Sequence, residues 1–157
     1  MTDRAGWQNA TLVTLLLEPA HRMVGELVER VAAAGFPDIR PSDSRVLENL
    51  DPGGTRLTEL AARAQMTHQS MGELVSGLEE RGYATRIPDP QDRRARLVRL
   101  TPQGRDLMHV ALEELAAIEG RWLAHFAAAG ASDMRAALAG ALEREQQSHP
   151  AAEAADD

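Results

Sequence analysis

Two groups of residues in this chain have types and spacing suited to chemistry. Residues 81–105 carry seven arginines (Arg81, Arg86, Arg93, Arg94, Arg96, Arg99 and Arg105) against Asp89 and Asp92 alone, a local charge of +5. Guanidinium groups neutralise phosphates and hydrogen-bond them with a fixed fork. Upstream, Thr67, His68, Gln69 and Ser70 set hydroxyl, imidazole and amide groups side by side, with Glu73 close behind. Gln69 suits an adenine edge, Thr67 and Ser70 a phosphate or a thymine methyl, and Glu73 could accept from cytosine N4. These groups suit contacts to nucleic acid better than the breaking of covalent bonds.

The composition of the whole chain points the other way at first. Its 157 residues carry a net charge of −7 and a sequence pI near 5.2, whereas nucleic-acid-binding domains tend to be basic. Setting the +5 segment aside leaves −12 on the remainder, so the basic charge is concentrated, not absent. There is no cysteine, which excludes disulfides, thiolate metal sites and thiol redox switches. All 17 basic residues are arginine, so a phosphate-loop lysine and Schiff-base chemistry are excluded too. No nucleophile–base pair or carboxylate dyad stands out, and no enzyme is expected. Glu18/His21 and His109/Glu113 have helical spacing, but two ligands do not make a metal site, and no metal or cofactor is expected. No apolar run approaches the ~20 residues of a membrane span. Met1 to Gln8 holds Asp3 and Arg4 without an apolar signal core, so a cytoplasmic protein without membrane contact is expected.

The elements that must position these residues follow from periodicity. Thr11 to Ala34 reads as a helix with a kink or break near Leu17–Glu18 caused by Pro19. A short helix over Ser42–Leu50 and a turn at Asp51–Gly54 come next. Thr58 should cap a helix reaching Gln65. Thr67 should cap a second, with Met66 and Met71 as a hydrophobic staple and Met71, Leu74, Val75 and Leu78 as its buried stripe. After Gly82 the period changes, giving strands over Tyr83–Ile87 and Ala95–Leu100 around a polar loop. Thr101-Pro102 opens a helix to about Ala129, ~40 Å long, whose stripe of Met108, Leu112, Leu115, Ile118, Trp122 and Phe126 needs a partner along its length. A last helix covers Ser132–Gln147, and the Ala- and acid-rich end, 148–157, is expected to be disordered. The fold class is mainly α with a small β-hairpin, as one domain over 1–157.

Helix, short turn, helix and hairpin in succession resemble the winged helix-turn-helix of the MarR family of bacterial transcription regulators. The resemblance rests on Leu60-Ala61-Ala62-Arg63-Ala64, Thr67 to Leu78, Leu78-Glu79-Glu80-Arg81-Gly82-Tyr83, Asp89-Pro90-Gln91-Asp92-Arg93-Arg94, and Val98-Arg99-Leu100-Thr101-Pro102-Gln103-Gly104. The flanking helices match in order and length, so the resemblance covers nearly the whole chain. It implies a DNA-binding lobe at about 42–101 flanked by dimerisation helices at about 11–34 and 102–147.

The resemblance also implies roles. The second helix of the pair, through Thr67, His68, Gln69, Ser70 and Glu73, would read the major groove. Glu73 stands where the family often has a basic residue. The wing would contribute Arg86, Asp92, Arg93, Arg94 and Arg96. Arg94 matches the wing-tip arginine that enters the minor groove, Asp92 would orient it through a bidentate pair, and Arg93 would touch phosphate. Leu12, Leu16, Leu115 and Ile118, with Trp122, Phe126, Leu138 and Leu142, would form the dimer seam. The homodimer would bind a pseudo-palindromic site on double-stranded DNA, as a repressor released by a small aromatic or phenolic effector. His21, Val24 and Met108 are the candidate effector-pocket residues, and the pocket should be mainly aliphatic. The alternative is a winged helix that contacts proteins and not DNA.

Overall fold

A computed structural model of the chain describes residues 7–92 and 94–148; residues 1–6, Arg93 and the segment 149–157 lie outside the described residues. In chain order it contains α1 (Leu12–Ala33), a 3-10 turn (Pro41–Asp43), α2 (Ser44–Leu47), β1 (Thr55–Arg56), α3 (Leu57–Arg63), α4 (His68–Glu80), β2 (Ala84–Pro88), β3 (Arg96–Leu100), α5 (Pro102–Ala128) and α6 (Met134–Ser148). The chain falls into two compact units, one running to Ala116 and the other starting at Ala117.

In the first unit, α1 is capped by Thr11, whose side chain accepts from the Thr14 N–H at 3.2 Å. Of the kink or break expected near Leu17–Glu18, the break does not occur; the helix runs through Pro19. Proline deprives the Leu15 carbonyl of its partner. That turn is exposed, so water can take the freed oxygen, and the buried Val31 anchors the far end. The short second helix is smaller than its expected span, with a 3-10 turn before it and an end at Leu47.

The expected hairpin is the larger part of a three-stranded sheet, ordered β1-β3-β2. β2 pairs antiparallel with β3 from Ala84↔Leu100 to Pro88↔Arg96, and β1 adds Thr55↔Val98 and Arg56↔Leu97. This third strand moves the start of α3. Arg56 is held extended by the sheet, so α3 begins at Leu57 and Thr58 is not its cap. α4, by contrast, is capped by Thr67 as expected, its oxygen accepting from the Ser70 N–H at 3.1 Å.

Met71, Val75 and Leu78 of α4 bury one stripe against Leu60 and Ala61 of α3, Val46 of α2, Val31 of α1, Val98 of β3 and Leu107 of α5. α4 then ends in a Schellman motif: the Gly82 N–H reaches Glu79 O at 2.9 Å and the Tyr83 N–H reaches Leu78 O at 2.9 Å. Gly82 takes φ +80, which costs other residues ~1–2 kcal/mol. Gln65, at φ 52, does the same duty after α3 without being glycine. Gly104 is required for space: a Cβ there would lie 2.0 Å from Tyr83 O, so α5 starts against the β2 backbone only because no side chain intervenes.

In the second unit, Trp122 and Phe126 stack at 6.1 Å between ring centroids, and Arg135 of α6 pairs with Glu119 at 2.6 Å. α6 has no buried residue, and Leu138 and Leu142 are exposed.

Candidate nucleic-acid interface

The start of α4 presents His68, Gln69 and Glu73 to solvent, because the opposite stripe is committed to the core. Thr67 and Ser70 are tied to each other. Besides capping, the Thr67 hydroxyl donates to Ser70 Oγ at 2.9 Å. Glu73 accepts from the Gln69 side-chain amide at 3.2 Å, which fixes the amide's orientation. A carboxylate at this position therefore positions Gln69 as well as adding negative charge.

The wing is a built loop. Asp89, almost fully buried, accepts from the Gln91 N–H at 2.8 Å and from Arg56 Nε and Nη2 at 2.8 and 2.6 Å. The Asp89 N–H donates to Ala95 O at 3.1 Å, closing the loop's base. The Gln91 N–H first, and then the Arg56 guanidinium, hold the Asp89 carboxyl below the usual carboxylate range. Asp92 does not make the expected bidentate pair with Arg94. Its carboxylate accepts the Arg94 backbone N–H at 3.0 Å, an Asx-type turn that shapes the loop and leaves the exposed guanidinium unrestrained.

Of the seven arginines, Arg93 lies outside the described residues and Arg105 donates to Leu100 O at 3.2 Å; the other five divide into two sets. Arg81 is bound to buried Asp43 at 2.7 Å, and Arg86 is bound to Glu79 of α4. Arg86, expected to contact DNA, thus braces β2 against α4, since its long side chain lies across the acidic end of that helix. Arg94, Arg96 and Arg99 are exposed and have no ion pair among the described residues. Free positive charge therefore sits along β3 and the wing.

A second feature lies in the same unit. A cleft of about 290 Å³ opens between α1, the 39–48 segment and α5, with an almost entirely apolar wall. Val24 and Met108, the candidate effector-pocket residues, line it; so does Leu115, which was expected in the dimer seam. His21 does not line it and is exposed, because the cleft face of α1 runs through Ala20, Val24, Leu27 and Val31. Of the other seam candidates, Leu12, Leu16, Leu138 and Leu142 are exposed and Trp122 and Phe126 half-buried. Ile118 is fully buried by the chain's own side chains and cannot serve as an open seam. Among the described residues no group of three or more potential metal ligands forms, and no helix is long and apolar enough to cross a membrane.

A family model described as MarR family matches residues 38–95, from the loop before the 3-10 turn through the wing. The solved structure of CouR from Rhodococcus jostii RHA1 bound to p-coumaroyl-CoA is 26% identical, covering 87% of this chain and 91% of that chain with a TM-score of 0.64. Residues 38–95 thus resemble the MarR family, and the chain shares the fold of its solved members. The transcriptional repressor CouR bound to a 23-mer DNA duplex is 25% identical, covering 92% of this chain and 98% of that one, with a TM-score of 0.68. The PcaV regulator from Streptomyces coelicolor, in complex with its natural ligand, shares the fold at 24% identity and a TM-score of 0.62, covering 86% and 89% of the two chains. No curated protein matches the chain in sequence.

Three residues of this lobe were not singled out in the sequence: Arg56, Asp89 as its partner, and Asp43. Their pairs span 33 and 38 positions along the chain, beyond any local spacing rule. The signal that could have found Asp43 is its place at the end of Arg40-Pro41-Ser42-Asp43, where a carboxylate caps the turn.

Proposed function

We propose that the chain acts in the cytoplasm, without catalysing a reaction, as a homodimeric regulator that binds a pseudo-palindromic operator and leaves it when a small ligand fills the α1–α2–α5 cleft. The observation that carries this reading is that Arg94, Arg96 and Arg99 are exposed without an ion pair among the described residues, in the same unit as the exposed start of α4. In this reading Gln69, oriented by Glu73, meets a base edge in the major groove, with adenine as its natural partner. Arg94 enters the minor groove, where narrow A·T tracts hold enhanced negative potential. Arg96 and Arg99 follow the phosphates. CouR bound to a DNA duplex supports the mode of binding.

Dimerisation supplies the second half. Leu12 and Leu16 of α1, and Leu138 and Leu142 of α6, are exposed apolar side chains that a second copy would cover. A dimer would set two recognition helices against half-sites ~34–36 Å apart. The apolar cleft suits a small ligand with an aromatic or aliphatic body; CouR was solved bound to p-coumaroyl-CoA and PcaV in complex with its natural ligand. Release of DNA requires that the ligand prefer one arrangement of the helices. DNA must then weaken ligand binding by the same factor.

Fluorescence anisotropy of the protein on DNA from upstream of its own coding sequence tests this. Binding to that DNA in preference to a scrambled duplex is expected. Equal affinity for both, or none for either, would contradict an operator-binding role, and the latter favours a protein-contact module.

A further inference from the structure

The 39–44 segment has two faces, and each does something different. Ile39, Arg40, Pro41 and Ser44 form one wall of the apolar cleft. Asp43, in the same turn, points the other way and is 1% exposed. Its two carboxylate oxygens take Arg81 Nη1 and Nη2 at 2.7 and 2.8 Å, and Oδ2 also accepts the Arg40 N–H at 2.7 Å.

Arg81 is the C-cap residue of the recognition helix α4. Its remaining donors go to Asp38 O at 2.7 Å and to Gly77 O, inside α4, at 2.8 Å. Tyr83 adds a bond from its hydroxyl to Asp38 Oδ1 at 2.6 Å. One short segment thus builds a wall of the cleft and grips the end of α4.

The chemistry of the grip matters. Leucine and valine contacts tolerate sliding, whereas a bidentate fork loses its bonds once donor and acceptor separate beyond ~3.5 Å. A buried ion pair is also a weak stabilising device compared with an apolar replacement of the same volume. Its distinguishing property is fixed geometry. α4 has 13 residues, a lever of ~20 Å, packed at its centre through Met71 and Val75. A shift imposed at Arg81 is carried to His68 and Gln69 at the opposite end.

We propose that the Asp43–Arg81 pair is the positioning link through which a filled cleft resets the angle of the recognition helix. The proposal rests on the DNA-binding reading above. It places the coupling in one unit of one protomer, in addition to any change between the two protomers.

A double-mutant cycle tests it without knowing the natural ligand. Ala111 lines the cleft, and Ala111→Phe fills it as a built-in occupant. Arg81→Lys keeps the charge but removes the planar fork. DNA affinity is measured for the wild type, A111F, R81K and the double variant, each confirmed folded and dimeric. We expect A111F to weaken DNA binding by about fivefold or more in the wild type, the lower end of typical couplings, and by no more than about twofold in R81K. A purely stabilising pair would lower the melting temperature in R81K and leave the A111F ratio unchanged, and that overturns the link. No effect of A111F on wild-type affinity overturns it as well. Asp43→Asn is a second background. Should it fail to fold, the R81K arm still decides the question. Absence of DNA binding by the wild type would refute the regulator reading itself, whereas DNA binding with additive effects refutes only the link.

Discussion

Replacing Gly104 with alanine sets two physical effects against each other. Gly104 lies in the first turn of α5, where alanine is ordinarily better than glycine by ~0.5–1 kcal/mol. Here the added Cβ would stand 2.0 Å from Tyr83 O, 3.0 Å from Tyr83 C and 3.2 Å from Leu100 Cδ2. The nearest obstacle is backbone, so relief requires α5 to move away from β2. That movement pulls on the bonds joining them, from the Thr101 N–H to Tyr83 O at 3.0 Å and from the Thr101 hydroxyl to Gly82 O at 2.6 Å. Overpacking typically costs ~1–3 kcal/mol and a weakened hydrogen bond ~1 kcal/mol more. Less alanine's helix advantage, the net loss is roughly 1–3.5 kcal/mol, which corresponds to a melting temperature lowered by roughly 2–14 °C for a chain of this size. Thermal denaturation followed by circular dichroism reads this, with Gly25→Ala as the control, since a Cβ on that exposed α1 position meets nothing within 4 Å. The control should be neutral or stabilising. A Gly104→Ala protein as stable as the control would refute the close approach of α5 to β2.

Two further outcomes concern pH. Burial first, and then its bond to Asp38, push the Tyr83 hydroxyl up to about 12. A group raised on folding stabilises fully below its unfolded value, ~10 for tyrosine, and loses that contribution as pH climbs towards about 12. With no lysine, no cysteine and one tyrosine in the chain, the alkaline limb belongs to Tyr83. Stability should fall there by at most about 1.4 kcal/mol per pH unit, and Tyr83→Phe should flatten the limb in chemical denaturation. Asp89 is shifted the opposite way, so its contribution is present above the ordinary carboxylate value and lost as pH falls through its lower folded value. Wing amides such as Ala95 should keep their exchange protection from neutral pH down to about 4. In Asp89→Asn that protection should already be reduced at neutral pH, and an unchanged rate would contradict the role of the Arg56–Asp89 pair.

Local rules made much of this molecule legible in its sequence, and the limits are equally local. The Thr67 cap, the Met71–Val75–Leu78 stripe, the Gly82 stop and the β2–β3 pairing are each set by neighbours within a few positions, and they appear as expected. β1 was invisible because two residues have no period; only its partner β3 defines it. The arginine cluster was read correctly in number but not in use. Arg81 and Arg86 are consumed by Asp43 and Glu79, and spacing cannot show which acid a long side chain will find. Asp92 was assigned to the right neighbour through the wrong group: it binds the Arg94 N–H, not the guanidinium. His21 shares a three-residue spacing with Val24, yet the cleft settles on the face through Ala20 and Val24. Helical spacing permits both faces, and only the packed neighbours choose.

The acidic total of −7 gives no reason to doubt a DNA-binding role once the unpaired arginines are located, and their contribution can be weighed directly. Wild type and Arg94→Ala are titrated onto upstream DNA over a salt series. Counterion release sets the slope of log affinity against log salt at ~0.9 per phosphate contact. A dimer that loses one such contact per protomer should show weaker binding and a slope shallower by about 1.8. An Arg94→Ala protein with the wild-type affinity and the wild-type slope would contradict the claim that the wing docks on DNA.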